Sequence, residues 1–267
     1  MAKIGAGSPE RFGYSWQRFS TLTAEQERQF KGWTCPIDPN TGWRGQRFLD
    51  AGCGAGRNSY WPMTYGASGG VAFDLDDRSL DAARANLAEF PSVEVQKFSI
   101  YEIPYENQFD IAFSIGVVHH LDDPALALRQ LAKATKPRGN VLIWVYGYEN
   151  IEFYVNVLNP LRKAAFSWMP LFIVRLMALL PAAVLYGLLR LGVTPLSYLR
   201  VLKSFSFSHL HQIVFDQMLP RTANYWRKDQ AMKLLEQAGL VDIRAVHVNE
   251  ISWTVIGLKP LASTASA

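Results

Sequence analysis

The segment from Phe48 to Gly56 constrains this 267-residue chain more than any other stretch. A short apolar run ends in Asp50, and alternating glycines follow at Gly52, Gly54 and Gly56. Glycine permits a sharp turn and a close approach of the backbone to a ligand. Dinucleotide loops read G-x-G-x-x-G and lead a pyrophosphate onto a helix N-terminus. The tighter G-x-G-x-G spacing directly after a carboxylate instead predicts a loop that faces a cation or a zwitterion.

A second carboxylate, Asp74, ends the next short apolar run of the chain. Carboxylates at the ends of neighbouring parallel strands meet at one edge of a sheet, where such a group can bind a ribose diol. The alternation of strand and helix patterns over 47–146 predicts a parallel sheet with helices on both faces. Two β-rich runs, 241–248 and 251–258, predict an antiparallel hairpin. We expect strands over 47–51, 70–74, 93–98, 109–115 and 140–146, and helices near 23–31, 56–65, 77–89, 123–134 and 229–237.

The glycine loop and Asp74 are followed in order by FDIAFSIGVVHH at 109–120 and LAKATKPRGN at 131–140. Together these segments resemble the class I S-adenosylmethionine-dependent methyltransferases, and the resemblance covers 45–146 and returns near 225–258. It implies an α/β, Rossmann-like, doubly wound sheet of seven strands whose last strand inserts antiparallel. This chain would add a helical insertion after the fifth strand. The resemblance also implies S-adenosyl-L-methionine as cofactor, S-adenosyl-L-homocysteine as product, and no metal.

The resemblance implies a cofactor site along the ends of the first four strands. Asp50 would attract the sulfonium or amino end of the ligand, and Asp74 would accept both ribose hydroxyls with Leu75 against the adenine. Where the family has an Asp for the adenine amine, this chain has Ser99, whose neutral hydroxyl contributes less. The predicted cofactor residues are Asp50, Gly52, Cys53, Gly54, Asp74, Leu75, Ser99, Ile100 and Ser114.

His119 and His120 follow the fourth predicted strand, where the family places the reacting methyl group. An ordinary pKa of about 6.5 lets histidine accept a proton near neutrality. Adjacent side chains point in different directions, so we predict that one of the two is catalytic. The alternative is a structural histidine in the turn before the next helix. The predicted acceptor contacts are Tyr14, Trp16, Arg18, Tyr146, Arg221 and Tyr225, of which the first three would close over the sulfonium.

The net charge of +4 is concentrated in one segment. Residues 151–210 hold six basic side chains against Glu152 alone, which is +5 and leaves −1 for the rest. Within it, 171–191 is apolar on every helical face apart from Arg175 and Arg190, and four prolines interrupt the segment. We predict a helical cap over the acceptor whose apolar stretch is broken at its prolines and forms a buried hairpin. The alternative is peripheral contact of 160–205 with a membrane.

We therefore predict an N-terminal aromatic and helical lid segment (1–45), a cofactor-binding core (46–149), an apolar basic helical insert (150–215) and the C-terminal part of the core (216–267). Only Cys35 and Cys53 are present, which predicts neither a disulfide framework nor a metal cluster. No basic-then-apolar leader precedes residue 30. We expect a cytoplasmic protein, with the periphery of the inner membrane surface as the alternative.

The predicted function is methyl transfer to a small-molecule or amphiphilic, lipid-like or glycolipid-like, acceptor. A nucleic-acid methyltransferase is the weaker alternative, and no nucleic-acid partner is expected, because the chain has neither an added basic RNA-binding module nor an Asn-Pro-Pro-Tyr-type tetrad after the fourth strand. A non-catalytic binding protein is the other alternative. Asp50 and Asp74 argue against it, since a scaffold needs neither carboxylate at a strand end.

Overall fold

The computed structural model describes residues 11–12, 22–166 and 169–261. Its strands are β1 (Arg47–Ala51), β2 (Gly69–Asp74), β3 (Val93–Lys97), β4 (Phe109–Ile115), β5 (Thr135–Tyr146), β6 (Val241–Val248) and β7 (Ser252–Leu258). They form one seven-stranded sheet in the order β3-β2-β1-β4-β5-β7-β6. Strands β1 to β5 pair in parallel, whereas β7 is antiparallel to both β5 and β6. The predicted doubly wound sheet with one antiparallel insertion is confirmed.

Helices cover both faces of this sheet. They are α1 (Ala24–Trp33), α2 (Arg57–Thr64), α3 (Asp77–Asn86), α4 (Pro124–Ala134) and, after the insert described below, α9 (Lys228–Glu236). Phe48 and Leu49 of β1 belong to separate apolar clusters because successive side chains of a strand point to opposite faces. The sheet therefore has a buried layer on each side, which fixes the positions of its strand ends.

The segment between β5 and α9 forms the predicted helical insertion. It contains a π-helical turn (Tyr154–Leu158) followed by α5 (Asn159–Phe166), α6 (Leu171–Arg190), α7 (Ser197–Leu202) and α8 (Phe207–Met218). The predicted boundary at 215 falls inside α8, so the last helix of the insert ends at Met218. Val174 and Ala178 of α6 pack against Phe215 of α8, which ties the two long helices together.

The prediction that the prolines divide 171–191 into a buried hairpin was wrong. Helix α6 is continuous through Pro181, and its 20 residues are long and apolar enough to cross a membrane on the criteria of length and composition alone. Leu176 and Leu180 are 67% and 73% exposed, whereas Val174 and Ala178 are fully buried. Pro181 removes one donor and the helix continues past it, because the inner face is still held by α8. Helix α6 is therefore apolar on both its packed and its exposed face.

Candidate functional site

A cavity of about 940 Å³ lies between the carboxyl ends of the central strands and the helical insert. Its position is the point where the strand order reverses around β1, which is where open α/β sheets bind ligands. Its volume is within the usual range for small-molecule sites, roughly 300–1,000 Å³. The core contributes Gly52, Cys53, Asp74, Leu75, Ile100, His120 and Tyr146, and the insert contributes Tyr154, Leu158, Leu161, Arg162, Pro181 and Tyr198.

The glycine loop at the end of β1 has a backbone that only glycine adopts readily. Gly52 has φ +78° and its N–H, like that of Cys53, donates to the Phe73 carbonyl at 2.9 Å. A Cβ on Gly52 would lie 2.5 Å from Cγ2 of Val117. The loop is therefore held against β2 and close to the turn after β4, and Gly52 and Cys53 border the cavity.

Asp74 at the end of β2 is held by the backbone around it. Its Oδ2 accepts the Gly54 N–H at 3.0 Å, and its Oδ1 accepts those of Leu75 at 2.7 Å and Asp76 at 3.2 Å. Burial raises the pKa of this carboxyl, against the effect of the three amides. A carboxylate has about four acceptor sites, so three amides leave capacity for about one hydroxyl rather than the two that we predicted.

Asp50 is buried behind the loop and does not line the cavity. Its Oδ2 accepts from the Ser59 hydroxyl at 2.7 Å, while its Oδ1 has no hydrogen-bond partner among the described residues. Burial raises the pKa of Asp50 to about 7, and the negative charge of Asp74 acts in the same direction. The carboxylate therefore orders the start of α2 through Ser59 and keeps one acceptor oxygen free.

The remaining predicted cofactor residues divide into two groups. Leu75 and Ile100 line the cavity with the glycine loop and Asp74. Gly54, Ser99 and Ser114 do not line it. The Gly54 N–H donates to Asp74, and the Ser99 hydroxyl accepts the Tyr101 N–H at 3.2 Å. The Ser114 hydroxyl donates to the Ala51 carbonyl at 2.9 Å. In each case a contact within the protein uses the polar group that we expected to face the ligand.

The residues around this part of the cavity fit S-adenosylmethionine. The space beside Gly52 would be closed by any larger residue, the Asp50 Oδ1 is an unsatisfied buried acceptor, and Asp74 keeps part of its acceptor capacity. Of the two carboxyl groups, Asp74 borders the cavity, and its ionised form favours a ligand with positive charge. No group of three or more His, Cys, Asp or Glu within the described ranges is placed to hold a metal ion.

The structure separates the two histidines that follow β4. His119 is fully buried and stacks on Tyr146 at a ring-centroid distance of 3.6 Å. Within the part of the chain that the structure describes, neither of its ring nitrogens has a hydrogen-bond partner. Burial holds its pKa well below the usual range. His120 lines the cavity, and its Nδ1 lies 2.8 Å from the Thr222 carbonyl. His119 therefore has no access to a substrate, which corrects its place among the catalytic candidates.

His120 has a defined tautomer because a carbonyl only accepts hydrogen bonds. Its Nδ1 must carry the proton donated to Thr222, so Nε2 holds the lone pair. Burial lowers the pKa of His120 to about 4, and the nearby Arg162 charge acts in the same direction. The imidazole is thus neutral at physiological pH and able to accept a proton.

Two of the predicted acceptor contacts lie together beside His120. The rings of Tyr146 and Tyr225 stack at 5.5 Å, and the Tyr146 hydroxyl accepts from the Gln217 side chain at 2.8 Å. Arg221 is exposed and does not line the cavity. Tyr14, Trp16 and Arg18 lie outside the described residues.

Several cavity residues were not predicted from the sequence. The Arg162 guanidinium is buried and donates to the Pro220 carbonyl at 2.7 Å and to the Asn159 side chain at 2.8 and 3.1 Å, all neutral acceptors. Burial raises the pKa of Tyr198 to about 12. Burial and the neighbouring Tyr154 raise the pKa of Tyr225. No local pattern marks Arg162 or the insert tyrosines, since only the fold of the insert brings them to the sheet.

The core of the chain matches known methyltransferases in sequence. A family model described as a methyltransferase domain matches residues 49–143. A ubiquinone biosynthesis O-methyltransferase of Neisseria meningitidis serogroup C is 30% identical over 112 residues, which are 39% of this chain and 46% of that protein. A malonyl-[acyl-carrier protein] O-methyltransferase of Erwinia billingiae is 29% identical over 205 residues, which are 72% of this chain and 79% of that protein.

Solved structures show the same fold. The magnesium protoporphyrin IX methyltransferase of Synechocystis PCC 6803 with bound SAH matches with a TM-score of 0.58 and 10% identity, over 94% of this chain and 96% of that one. The chain spans less than half the length of several curated relatives that it matches. The sequence match to the domain includes the glycine loop, Asp74 and the turn after β4. Residues 49–143 are therefore a methyltransferase domain, and the sheet that contains them has the fold of the class I S-adenosylmethionine-dependent methyltransferases.

Proposed function

We propose that this protein transfers a methyl group from S-adenosylmethionine to an oxygen atom of an amphiphilic small molecule. The observation that carries the proposal is the continuity of the cavity, which runs from the glycine loop and Asp74 to the apolar side chains of the insert. When bound, S-adenosylmethionine supplies an electrophilic methyl group on a sulfonium. An oxygen acceptor is favoured because two relatives are named as O-methyltransferases.

His120 is the residue that we assign to proton transfer. It borders the cavity, and its Nδ1–H is fixed on the Thr222 carbonyl, which leaves Nε2 as the basic atom. A hydroxyl that attacks an electrophile must lose its proton, and a positioned imidazole accelerates such steps by roughly 10² to 10⁴. The rest of the rate enhancement would come from holding the two reactants together.

Arg162 and the tyrosines define the polar end of the acceptor site. Arg162, His120 and Tyr225 all line the cavity, and the Arg162 charge acts to lower the pKa of His120 and opposes the upward shift of the pKa of Tyr225. A buried cation whose hydrogen bonds go to neutral carbonyl and amide oxygens favours an acceptor oxygen that carries or develops negative charge. The stacked rings of Tyr146 and Tyr225 add a flat wall beside it.

The opposite wall is suited to the apolar part of an amphiphile. Leu158, Leu161, Leu185 and Leu199 from the insert line the cavity. Burial of apolar ligand surface contributes about 25 cal/mol per Å², so a chain of several methylenes would be held strongly. The proposed acceptor therefore places a hydroxyl near His120 and its apolar portion against the insert.

The test is methyl transfer from radiolabelled S-adenosylmethionine into a fractionated cell extract. We expect label in the organic-solvent fraction, since the acceptor is amphiphilic, and in a methyl ether, which resists alkaline hydrolysis. Release of the label as methanol would instead identify a carboxylate acceptor. The His120→Gln variant should lower turnover by roughly 10² to 10⁴ while S-adenosylhomocysteine binds with unchanged affinity in calorimetry.

The control variant is His247→Gln, which changes an exposed histidine on β6 that stacks on Trp253. It should retain wild-type turnover. Label confined to nucleic acid would contradict the proposed acceptor class and support the nucleic-acid alternative. Full turnover in His120→Gln would show that His120 is not the base. Methyl transfer would then proceed by positioning of the two reactants alone.

A further inference from the structure

We infer that the insert carries a docking surface for anionic lipid bilayers. The surface is the outward side of the π-helical turn, α5 and α6, and we call it the outer face. It consists of large apolar side chains that are exposed to solvent, namely Phe153, Val157, Leu158, Leu161, Phe172, Leu176, Met177, Leu179, Leu180, Val184 and Leu188.

The apolar residues of α6 are arranged in two opposite stripes. Val174, Ala178 and Ala182 recur every four residues and are buried. Phe172, Leu176 and Leu180 recur at the same spacing but are two residues out of step, so they point away from the protein. Soluble monomers rarely expose contiguous apolar patches larger than a few hundred Å². The outer stripe is therefore a surface that meets an apolar partner.

The charge of the insert identifies the partner as anionic. No Asp or Glu occurs between Glu152 and Asp216, whereas six basic residues do. Lys163 and Lys203 are exposed, and the Arg190 guanidinium lies 4.7 Å from the Tyr186 ring centroid at the end of α6. Cations that flank an apolar helix face are the pattern of helices that lie in a membrane interface.

A second copy of the chain fits this surface less well than a bilayer does. A two-fold interface brings the same patch of both protomers together. The cations around the outer face would then oppose their own copies, with no carboxylate of the segment between Glu152 and Asp216 to offset them. An anionic lipid surface offers opposite charge and an apolar interior at once.

The outer face is continuous with the mouth of the cavity. Leu158 and Leu161 line the cavity and are 44% and 63% exposed, and Pro181 of α6 is likewise both exposed and cavity-lining. A protein docked through the outer face would therefore open its cavity toward the lipid. The docking surface stands on these observations by itself, while its use as an entrance for the acceptor rests on the proposed function.

The test is flotation of the full chain with vesicles of phosphatidylglycerol and phosphatidylcholine, compared with vesicles of phosphatidylcholine alone. We expect binding to the anionic vesicles, weaker binding to the neutral ones, and a decrease with added salt. The double variant Leu176→Gln/Leu180→Gln should lower partitioning by roughly tenfold or more. The matched control Val241→Gln/Leu261→Gln, which changes exposed apolar residues elsewhere, should bind like the wild type.

A second pair of variants tests the charge. Lys163→Glu/Lys203→Glu should abolish the preference for anionic vesicles, and Arg129→Glu/Lys233→Glu, on exposed positions of α4 and α9, should retain it. Absence of vesicle binding, or equal binding by all variants, overturns the inference. A wild-type protein that self-associates but does not bind vesicles also overturns it. If the self-association is lost in Leu176→Gln/Leu180→Gln, the outer face is assigned to a dimer.

Calorimetry with S-adenosylhomocysteine on the same preparations separates the two proposals. Intact S-adenosylhomocysteine binding and methyl transfer without vesicle binding would overturn the docking surface alone. Vesicle binding without methyl transfer would overturn the proposed function alone. Circular dichroism on every variant checks that it is folded before either result is used.

Discussion

The protonation state of a single residue in or beside this site depends on its exposure to water and on its hydrogen-bond partners. Asp50 and His120 are both almost fully buried, and burial favours the neutral form of each. The consequence has opposite signs, because the neutral form of an aspartate is protonated whereas that of a histidine is not. These two buried groups therefore oppose each other in the pH dependence of stability.

Between the ordinary pKa of 3.8 and the folded pKa of about 7, folded Asp50 holds a proton that the unfolded chain has lost. Stability therefore falls as pH rises through this window, by about 4 kcal/mol at 1.36 kcal/mol per pKa unit. For His120 the unfolded chain holds the extra proton between a pH of about 4 and pH 6.5. Stability therefore rises with pH in that range, by about 3 kcal/mol.

Replacing Asp50 by Asn should therefore remove the contribution that opposes the rise of stability with pH caused by His120. We expect the free energy of unfolding of Asp50→Asn, measured by urea denaturation, to increase more steeply between pH 4 and 7 than that of the wild type. The control is Asp81→Asn, an exposed carboxylate that pairs with Arg84 on α3 and should follow the wild-type curve. Parallel curves for Asp50→Asn and the wild type would show that the carboxyl is ionised in the folded protein throughout this range.

At the scale of elements, α6 shows how packing overrides local propensity. Pro181 lies inside the helix and Gly187 lies a turn and a half beyond it, yet the helix is unbroken. Proline costs about 3 kcal/mol and glycine about 1 kcal/mol relative to alanine in a helix interior. The contacts of the inner face with α8 must therefore offset both.

Alanine substitutions in α6 should measure this cost directly. Pro181→Ala should raise the free energy of unfolding by up to about 3 kcal/mol, because it restores an N–H donor to the helix. Gly187→Ala is the reference, since a Cβ there meets nothing within 4 Å, and it should add about 1 kcal/mol. Thermal and urea unfolding would check both. If Pro181→Ala is destabilised while Gly187→Ala is stabilised, contacts of the proline ring in the cavity wall contribute more to stability than the restored N–H donor does.

At the scale of the whole molecule, the cavity is where the sheet and the insert meet. One wall comes from the strand ends and the other from helices of the insert, with His120 and Arg162 near the boundary. A ligand in this cavity contacts both walls. Binding therefore couples the insert to the core, and it stabilises the folded state by mass action.

S-adenosylhomocysteine at 100 times its dissociation constant should stabilise the protein by about 2.7 kcal/mol, seen as an increase in melting temperature. Asp74→Ala should need a higher ligand concentration for the same shift, because it loses a half-buried carboxylate that borders the cavity. Asp77→Ala is the control, since that carboxylate is exposed and pairs with Lys97 at 2.6 Å. An unchanged shift in a folded Asp74→Ala would exclude Asp74 from the cofactor site.

The sequence by itself determined the sheet, its cofactor edge and the place of the insertion. Alternating strand and helix patterns specify a parallel sheet. The glycine loop directly follows β1 and Asp74 is the last residue of β2, so both positions can be read from the sequence around each strand. Such features follow from a few neighbouring residues, so periodicity and spacing reveal them. The strand and helix positions were accordingly close to those observed.

Only the tertiary structure decided which polar groups face the cavity and which face of the insert faces water. The predicted ligand Ser114 uses its hydroxyl on the Ala51 carbonyl, and Asp50 lies behind the glycine loop with one carboxylate oxygen on Ser59. His119 is buried against Tyr146. For α6, hydropathy is high on every side, so the sequence could not distinguish its packed face from its exposed one. These outcomes depend on contacts between residues far apart in the chain, which local pattern does not encode.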